Sequence, residues 1–213
     1  MELKFLGRDS GFGEKNNSAY YVNGDKLTMI DCGFSVFNIA KNTFDFNKFQ
    51  SIEIVITHLH NDHAGSLSQL ILYLWFVFHK KTTVISNCSR IKDYLDITGT
   101  PQEAYDLKKS TSNIEFIETK HVAELDSYGV KIKINNKSIL YTGDTSTLEP
   151  YRPYFSEIFE LYIDVSVFGG VHLKIDDILP ELKSLKEKNI DIFLMHLDDK
   201  EKIKSITNNE FYS

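Results

Sequence analysis

The sequence predicts an α/β fold that forms a single domain over residues 1–213. Short apolar runs alternate with helical segments, and several of these runs end one or two residues before a histidine or an aspartate. Because α/β proteins gather their active-site loops at strand ends, this repeated context indicates one site rather than scattered polar residues. With 213 residues and 42% hydrophobic content, the chain can bury a sizeable core.

The elements are expected in the following order. Strands extend to about Asp31, followed by a helix near 36–42 and a strand over 52–56, an apolar run rich in isoleucine. A helix over 66–78, a strand over 82–86 and a helix over 89–95 complete the first half. The second half contains a strand over 114–119, a hairpin over 130–142 with its turn at Asn135–Asn136, a strand over 160–165, a helix over 176–188 and a strand over 190–195.

The segment after the run 52–56 carries four metal-binding side chains within six residues: His58, His60, Asp62 and His63. Neutral imidazoles and a carboxylate suit Zn²⁺, Mn²⁺ or Fe. In an extended loop, His58 and His60 point to the same side, whereas Asp62 and His63 follow once the chain turns into the next helix. The spacing therefore predicts two metal ions and further ligands downstream.

Three later residues are candidates for those further ligands. His121 follows the strand-like run 114–119, and Asp144 follows the apolar run 138–142. His196 follows the run 191–195, which alternates little and is typical of a buried strand. Each of the three thus comes just after a predicted strand, as the four residues of the first cluster do.

The ordered set His58-x-His60-x-Asp62-His63, His121, Asp144 and His196 resembles the metallo-β-lactamase fold superfamily. The glycine-containing segments 5–13 and 30–33 look like that family's N-terminal loop and first hairpins. The resemblance implies a four-layer αββα sandwich with two divalent metals, Zn²⁺ being favoured over Mn²⁺ or Fe. It further implies that one metal is held by His58, His60 and His121 and the other by Asp62, His63 and His196, with Asp144 bridging both.

The same resemblance implies hydrolysis by a hydroxide held between the metals, with Asp62 as a catalytic residue. The residues after His121 include Ser127-Tyr128-Gly129, which looks more like the branch of cyclic-nucleotide phosphodiesterases and tRNA 3′-processing nucleases (RNase Z-like). Zinc β-lactamases of the commonest type have a cysteine at the bridging position, where this chain has Asp144. A lactamase is therefore disfavoured.

Two observations favour a small phosphodiester, such as a 3′,5′-cyclic nucleotide, over a polymer. His121 and Asp144 are 23 positions apart, which leaves no room for the protruding arm of tRNA-processing enzymes. The net charge of −6 disfavours RNA, and no DNA partner is expected. An RNase Z-like nuclease, a hydrolase of acyl substrates (lactone or thioester) and a non-catalytic metal-binding protein remain alternatives.

His172, which follows Gly169-Gly170-Val171, resembles a histidine that protonates the leaving oxygen in related phosphodiesterases. The alternative is a loop or helix-capping histidine. Asp164 could orient His172 or serve as a local backbone cap. Asp31 resembles a family position that supports the histidine loop, and the alternative is a turn residue at the end of a strand.

The predicted helix over 66–78 lacks a polar face along 70–78, so a homodimer is expected to cover it. The run is far shorter than the roughly 20 apolar residues that a membrane-spanning helix needs, and no membrane partner is expected. Cys32 and Cys88 give no disulfide framework, and the N-terminal residues lack a secretory signal. We therefore expect a cytoplasmic protein.

Overall fold

The computed structural model describes residues 3–134 and 137–211, and the predicted turn at Asn135–Asn136 lies outside these ranges. The chain divides into two compact units, Met1–Thr111 and Ser112–Ser213. Each unit contains one β-sheet and its own helices. The predicted α/β class is therefore confirmed.

The first unit contains a six-stranded sheet in which the strand order follows the sequence. The first three strands pair antiparallel, and the third to the sixth pair parallel. The strands are β1 (Lys4–Gly7), β2 (Ser18–Asn23), β3 (Lys26–Ile30), β4 (Ser51–Val55), β5 (Thr82–Ile85) and β6 (Tyr105–Lys108). The helices are α1 (Val36–Thr43), α2 (Asn61–Ala64), α3 (Leu67–Phe78) and α4 (Ile91–Ile97), with 3₁₀ turns at Phe46–Lys48 and Gln102–Ala104.

Strands β3 and β4 lie in the middle of this sheet, and eight of their ten residues are buried. Met29 and Ile54 are fully buried and face each other across the parallel pair. The pairing ends with Ile30 opposite Val55, so the two strands end side by side. The residues that follow them, beginning with Asp31, therefore lie at the same edge of the sheet.

The second unit contains a five-stranded sheet in the order β11-β10-β9-β8-β7. Strands β7 to β9 pair antiparallel, and β9 to β11 pair parallel. The strands are β7 (Ile114–Glu118), β8 (Tyr128–Ile134), β9 (Lys137–Tyr141), β10 (Glu160–Asp164) and β11 (Asp191–Met195). The helices are α5 (Ile175–Glu187) and α6 (Lys200–Thr207), with a 3₁₀ segment at Glu149–Tyr154.

Helix α5 packs its apolar stripe on the parallel half of this sheet. Leu182 of α5 belongs to the same buried cluster as Leu161 and Ile163 of β10 and Leu194 of β11. Ile178, four residues before Leu182 on the helix, also lies on this buried face. The packing holds β10 beside its two parallel neighbours, so the carboxyl ends of β9, β10 and β11 meet at one edge.

Three features differ from the expected elements. The predicted helix over 66–78 is preceded by a separate short helix, α2, which contains Asp62 and His63. Strand β6 was not predicted because most of it is exposed, and α6 was not predicted because it buries little more than Ile203 and Thr207. In the described part of the chain, no helix has the length and apolar character needed to cross a membrane.

Candidate metal centre

Asp31 accepts several hydrogen bonds from the first unit's histidine loop, the segment 57–63. It directly follows β3, is fully buried and has a left-handed backbone conformation with φ of 61°. Its carboxylate accepts hydrogen bonds from the backbone N–H of Thr57 (2.9 Å), from Thr57 Oγ1 (2.9 Å) and from His63 Nδ1 (2.8 Å). The sequence-based expectation that Asp31 supports this loop is thus matched by direct contacts.

These contacts determine which histidine nitrogens carry hydrogen. Ionised Asp31 can only accept, so His63 Nδ1 donates and the other ring nitrogen, Nε2, keeps its lone pair. The Thr57 hydroxyl gives its single hydrogen to Asp31, so it accepts from His58 Nδ1 at 3.1 Å. His58 Nε2 then keeps its lone pair as well. Burial raises the pKa of Asp31, and the charge and hydrogen bonds of His63, together with the Thr57 hydrogen bonds, oppose that rise.

The donor atoms of the loop form two pairs. His58 Nε2 lies 3.1 Å from His60 Nδ1, and His63 Nε2 lies 3.3 Å from Asp62 Oδ2. Metal–ligand bonds of 2.0–2.1 Å at tetrahedral angles place two ligand atoms about 3.3 Å apart. The rings of His58 and His63 are 4.1 Å apart between centroids, so the pairs are adjacent. Their spacing fits two neighbouring divalent cations.

The histidine loop is held against the segment that follows β3. The backbone N–H of Cys32 donates to the carbonyl of His63 at 2.6 Å, and that of Phe34 donates to the carbonyl of Asn61 at 3.0 Å. A Cβ at Gly33 would lie 2.0 Å from the carbonyl oxygen of Asp62. Only glycine therefore allows this segment to approach the loop so closely.

In the second unit, two predicted ligand histidines approach the carboxylate of Asp144. His196 Nε2 lies 3.3 Å from Asp144 Oδ2, and His121 Nε2 lies 3.8 Å from the same oxygen. His121 Nδ1 donates to the carbonyl of Val171 at 3.1 Å, which leaves Nε2 with its lone pair towards Asp144. His196, which follows β11, has a left-handed backbone with φ of 57°. The Asp144–His196 spacing again matches two ligands of one metal.

Asp164, the last residue of β10, lies close to two histidines, His172 and His196. Its Oδ2 accepts hydrogen bonds from His172 Nδ1 (2.8 Å) and from the backbone N–H of Thr145 (2.9 Å). Its Oδ1 lies 3.4 Å from His196 Nδ1. Donor atoms of Asp144, Asp164, His172 and His196 all lie within 4.8 Å of one another.

His172 is oriented by Asp164 rather than by Asp144, since its Nδ1 is 4.0 Å from Asp144 Oδ2. Burial disfavours the charged imidazolium, but the hydrogen bond and charge of Asp164 and the charge of Asp144 outweigh this effect and raise the pKa of His172. The ring stacks on that of His196, with centroids 4.7 Å apart. The Asp164–His172 contact that the sequence suggested is therefore present.

The loop that carries His172 is closed at its base and held by Asp198. The backbone N–H of Ser166 donates to the carbonyl of Leu173 at 2.8 Å, which closes the loop. Asp198 accepts hydrogen bonds from Ser166 Oγ (2.5 Å) and from the backbone N–H of Val167 (3.0 Å). Asp198 thus ties the loop to the segment after β11.

Sequence reasoning missed Thr57, Ser166 and Asp198 as functional candidates. Thr57 lies next to the predicted ligand His58, and Asp198 lies two residues after the predicted ligand His196. This proximity was the only available signal. Their hydrogen-bond partners are 26 and 32 positions away in the chain, so local patterns do not reveal them.

Comparison with known proteins identifies the family. Residues 1–92 and 85–212 match the family described as "Anti-Pycsar protein Apyc1". The chain belongs to the Apyc1 family. An Apyc1 protein of Bacillus phage vB_BveM-Goe7 is 30% identical, with 93% of this chain and 89% of the relative aligned.

Solved structures similar to this Apyc1-family chain confirm the predicted fold. The metallo-β-lactamase fold protein YhfI of Bacillus subtilis gives a TM-score of 0.76 at 16% identity and covers 99% of this chain and 92% of its own. The short form of human tRNase Z gives 0.71 at 13% identity, with coverage of 94% of both chains. The chain therefore has the metallo-β-lactamase fold.

Proposed function

We propose that the chain is a metal-dependent phosphodiesterase that opens small phosphodiesters such as 3′,5′-cyclic nucleotides. The observation that carries this proposal is the set of donor pairs at metal-ligand spacing, with histidine tautomers set by buried hydrogen bonds. His58 and His63 both present Nε2 lone pairs because Thr57 and Asp31 occupy their Nδ1 atoms. Such an arrangement favours cation binding over a purely structural polar cluster.

The proposed ligands of two divalent cations are those that the family resemblance implies. His58, His60 and His121 serve one ion, Asp62, His63 and His196 serve the other, and Asp144 serves both. The ions, preferably Zn²⁺ with Mn²⁺ or Fe as alternatives, supply a water of lowered pKa and stabilise negative charge on phosphoryl oxygens. Asp62 has a catalytic role in this proposal because it positions one of the two ions.

His172 is the proposed proton donor to the leaving oxygen. Its Nδ1 donates to Asp164, so only Nε2 is available to address a substrate. Its side chain is 20% exposed, whereas that of Asp164 is fully buried, so solvent reaches the ring but not its anchor. This combination suits a group that exchanges a proton with a substrate from a stable orientation.

A small substrate is favoured over RNA by charge. The net charge is −6, and the adjacent lysines Lys80 and Lys81 both make local contacts. Lys80 Nζ donates to the carbonyl of Phe49 at 2.7 Å, and Lys81 Nζ lies 2.6 Å from Asp106. A lysine that is held in a local contact is less available to neutralise a phosphate.

The test is a hydrolysis panel with Zn²⁺- or Mn²⁺-loaded protein and metal-stripped protein as the blank. The panel contains 3′,5′-cyclic AMP, GMP, CMP and UMP, cyclic dinucleotides, a 3′-extended precursor tRNA, a lactone and a thioester. We expect metal-dependent opening of the cyclic mononucleotides that Asp62→Ala abolishes and that Asp25→Ala, at an exposed turn, leaves unchanged. Cleavage of the tRNA alone would favour an RNase Z-like nuclease. Turnover of the lactone or the thioester alone would favour a hydrolase of acyl substrates.

We also propose a cytoplasmic homodimer in which α3 contributes to the contact. Phe76 and Val77 of α3 are 65% and 55% exposed, an apolar pair that a second subunit could cover. Cys32 and Cys88 are buried thiols, which suits a reducing compartment. Sedimentation velocity should give a dimer that Phe76→Ser with Val77→Ser weakens, and a monomer at all concentrations would contradict this contact.

A further inference from the structure

The loop between β1 and β2 is a rigid structure that ends in an exposed aromatic ring. Asp9 Oδ2 accepts from the backbone N–H of Lys15 at 2.9 Å, and the backbone N–H of Asp9 donates to the carbonyl of Lys15 at 2.9 Å. Within this frame, the N–H of Gly13 donates to the carbonyl of Ser10 at 2.9 Å, which forms a tight turn. Phe12 lies at the tip of that turn.

Phe12 is fully exposed at 106% of its reference area, although burying a phenylalanine stabilises a protein by roughly 1.5–3 kcal/mol. Because Phe12 lies next to the candidate metal centre, its exposed ring is available to contact a ligand bound there. A Cβ at the neighbouring Gly11 would lie 3.1 Å from Asp62 Oδ2, so the turn touches a proposed metal ligand. The hydrogen bonds of the turn fix the backbone that carries the ring.

A second exposed aromatic ring lies on the other segment that contacts the histidine loop. Phe34 is 53% exposed, and its backbone N–H donates to the carbonyl of Asn61 at 3.0 Å. A Cβ at Gly65 would lie 3.2 Å from Phe34 Cβ. The loop of Asp62 is thus contacted by two short segments, and each presents a phenylalanine to solvent.

We propose that Phe12, with Phe34 as a second contact, binds the nucleobase of the substrate by stacking, which rests on the proposed phosphodiesterase function. A nucleotide places a planar aromatic ring one sugar away from its phosphate. The metal ligands would receive the phosphate, and the phenylalanine faces would receive the base. Phenyl rings offer no hydrogen bond, and every base has a π-face, so this contact binds purines and pyrimidines alike.

The first experiment measures stacking directly and does not depend on turnover. Trp75, the only tryptophan of the chain, is changed to phenylalanine, and Phe12 is changed to tryptophan in that background. A nucleoside 5′-monophosphate should quench the fluorescence of the new indole, whereas ribose 5-phosphate, which lacks the base, should not. Equal quenching by both compounds, or none by either at concentrations that the parent protein binds, would overturn the proposal.

The second experiment measures KM for cyclic mononucleotides. Phe12→Ala should raise KM by roughly 5- to 150-fold, the range for loss of one base–aromatic stack, with little change in kcat. The matched control is Phe159→Ala, since Phe159 is 50% exposed and precedes β10, at the sheet edge opposite to Asp164. An unchanged KM in Phe12→Ala, or an equal rise in the control, would refute stacking.

The two experiments separate this inference from the proposed function. Base-dependent quenching without hydrolysis of any cyclic nucleotide would support the stacking site and refute the phosphodiesterase. Hydrolysis with no base-dependent quenching and an unchanged KM in Phe12→Ala would support the phosphodiesterase and refute the stacking site. Loss of the dimer in Phe12→Ala would also overturn the inference, because the ring would then contact a second copy of the chain.

Discussion

Asp164 accepts a 2.8 Å hydrogen bond from His172 Nδ1 and places its other oxygen 3.4 Å from His196 Nδ1. One buried carboxylate thus orients the proposed proton donor by a hydrogen bond and also lies close to a proposed metal ligand. The two imidazole rings stack, with their planes 24° apart. The proton donor and the ligand therefore lie beside the same carboxylate.

His172→Ala should lower kcat for cyclic nucleotides by roughly 100- to 10,000-fold, the usual contribution of a general acid. A p-nitrophenyl phosphodiester should be affected far less, because its leaving group departs without a proton. The metal content, measured by mass spectrometry, should stay at the wild-type value. If both substrates slow equally, or if metal is lost, His172 is a ligand or a structural residue instead.

Asp31→Asn should weaken metal binding by roughly 10- to 100-fold, because the variant loses the negative charge that holds His63 in its donating tautomer. Asparagine tolerates the left-handed backbone of this position, so the change isolates the charge from the conformation. Chelator competition measures the affinity. Asp25→Asn, at an exposed turn, is the control. Equal metal affinity in both variants would show that the Asp31 hydrogen bonds do not tune the site.

Asp198→Ala should lower kcat for cyclic nucleotides by about 100-fold, because loss of its hydrogen bonds to Ser166 and Val167 lets the His172 loop shift. The loss should be smaller for a p-nitrophenyl phosphodiester, as for His172→Ala, and metal content should be unaffected. Asp191→Ala, at the exposed start of β11, the strand that precedes Asp198, serves as the control. A uniform loss on both substrates would indicate general destabilisation.

Gly33→Ala should reduce metal content and destabilise the protein by roughly 1–3 kcal/mol, the usual cost of overpacking. The new Cβ would displace the backbone of Asp62, which it approaches to 2.0 Å. Gly24→Ala provides a matched control, since Gly24 has φ of 63° with nothing within 4 Å of a Cβ. The control should lose roughly 1–2 kcal/mol from backbone strain and keep its metal. Full metal content in Gly33→Ala would show that the loop adjusts.

Much of the fold could be predicted because its central strands are apolar and its ligands follow them. The runs 52–56 and 191–195 correspond closely to β4 and β11. Strand β6 escaped prediction because it has only four residues and is largely exposed. Periodicity detects burial, and an element that buries little leaves no such signal.

The candidate centre was predictable to a different degree. Its candidate ligands and their order were proposed from the sequence, since four metal-binding side chains fall within six residues of one loop. The tautomers could not be proposed in this way, because they depend on Thr57 and Asp31, which meet only when β3 and β4 pair in parallel. The hydrogen bond between Ser166 and Asp198 likewise joins chain segments that are distant in sequence.

The strand order of both sheets has a consequence for how they assemble. In each sheet, every strand pairs with its immediate predecessor in the chain. A growing sheet therefore adds each new strand at an open edge and never needs to separate strands that have already paired. The parallel pairs still require crossover connections, which slow their formation. Since His196 follows the final strand of the second sheet, the pair that it forms with Asp144 is completed only in the last step of that sheet's assembly.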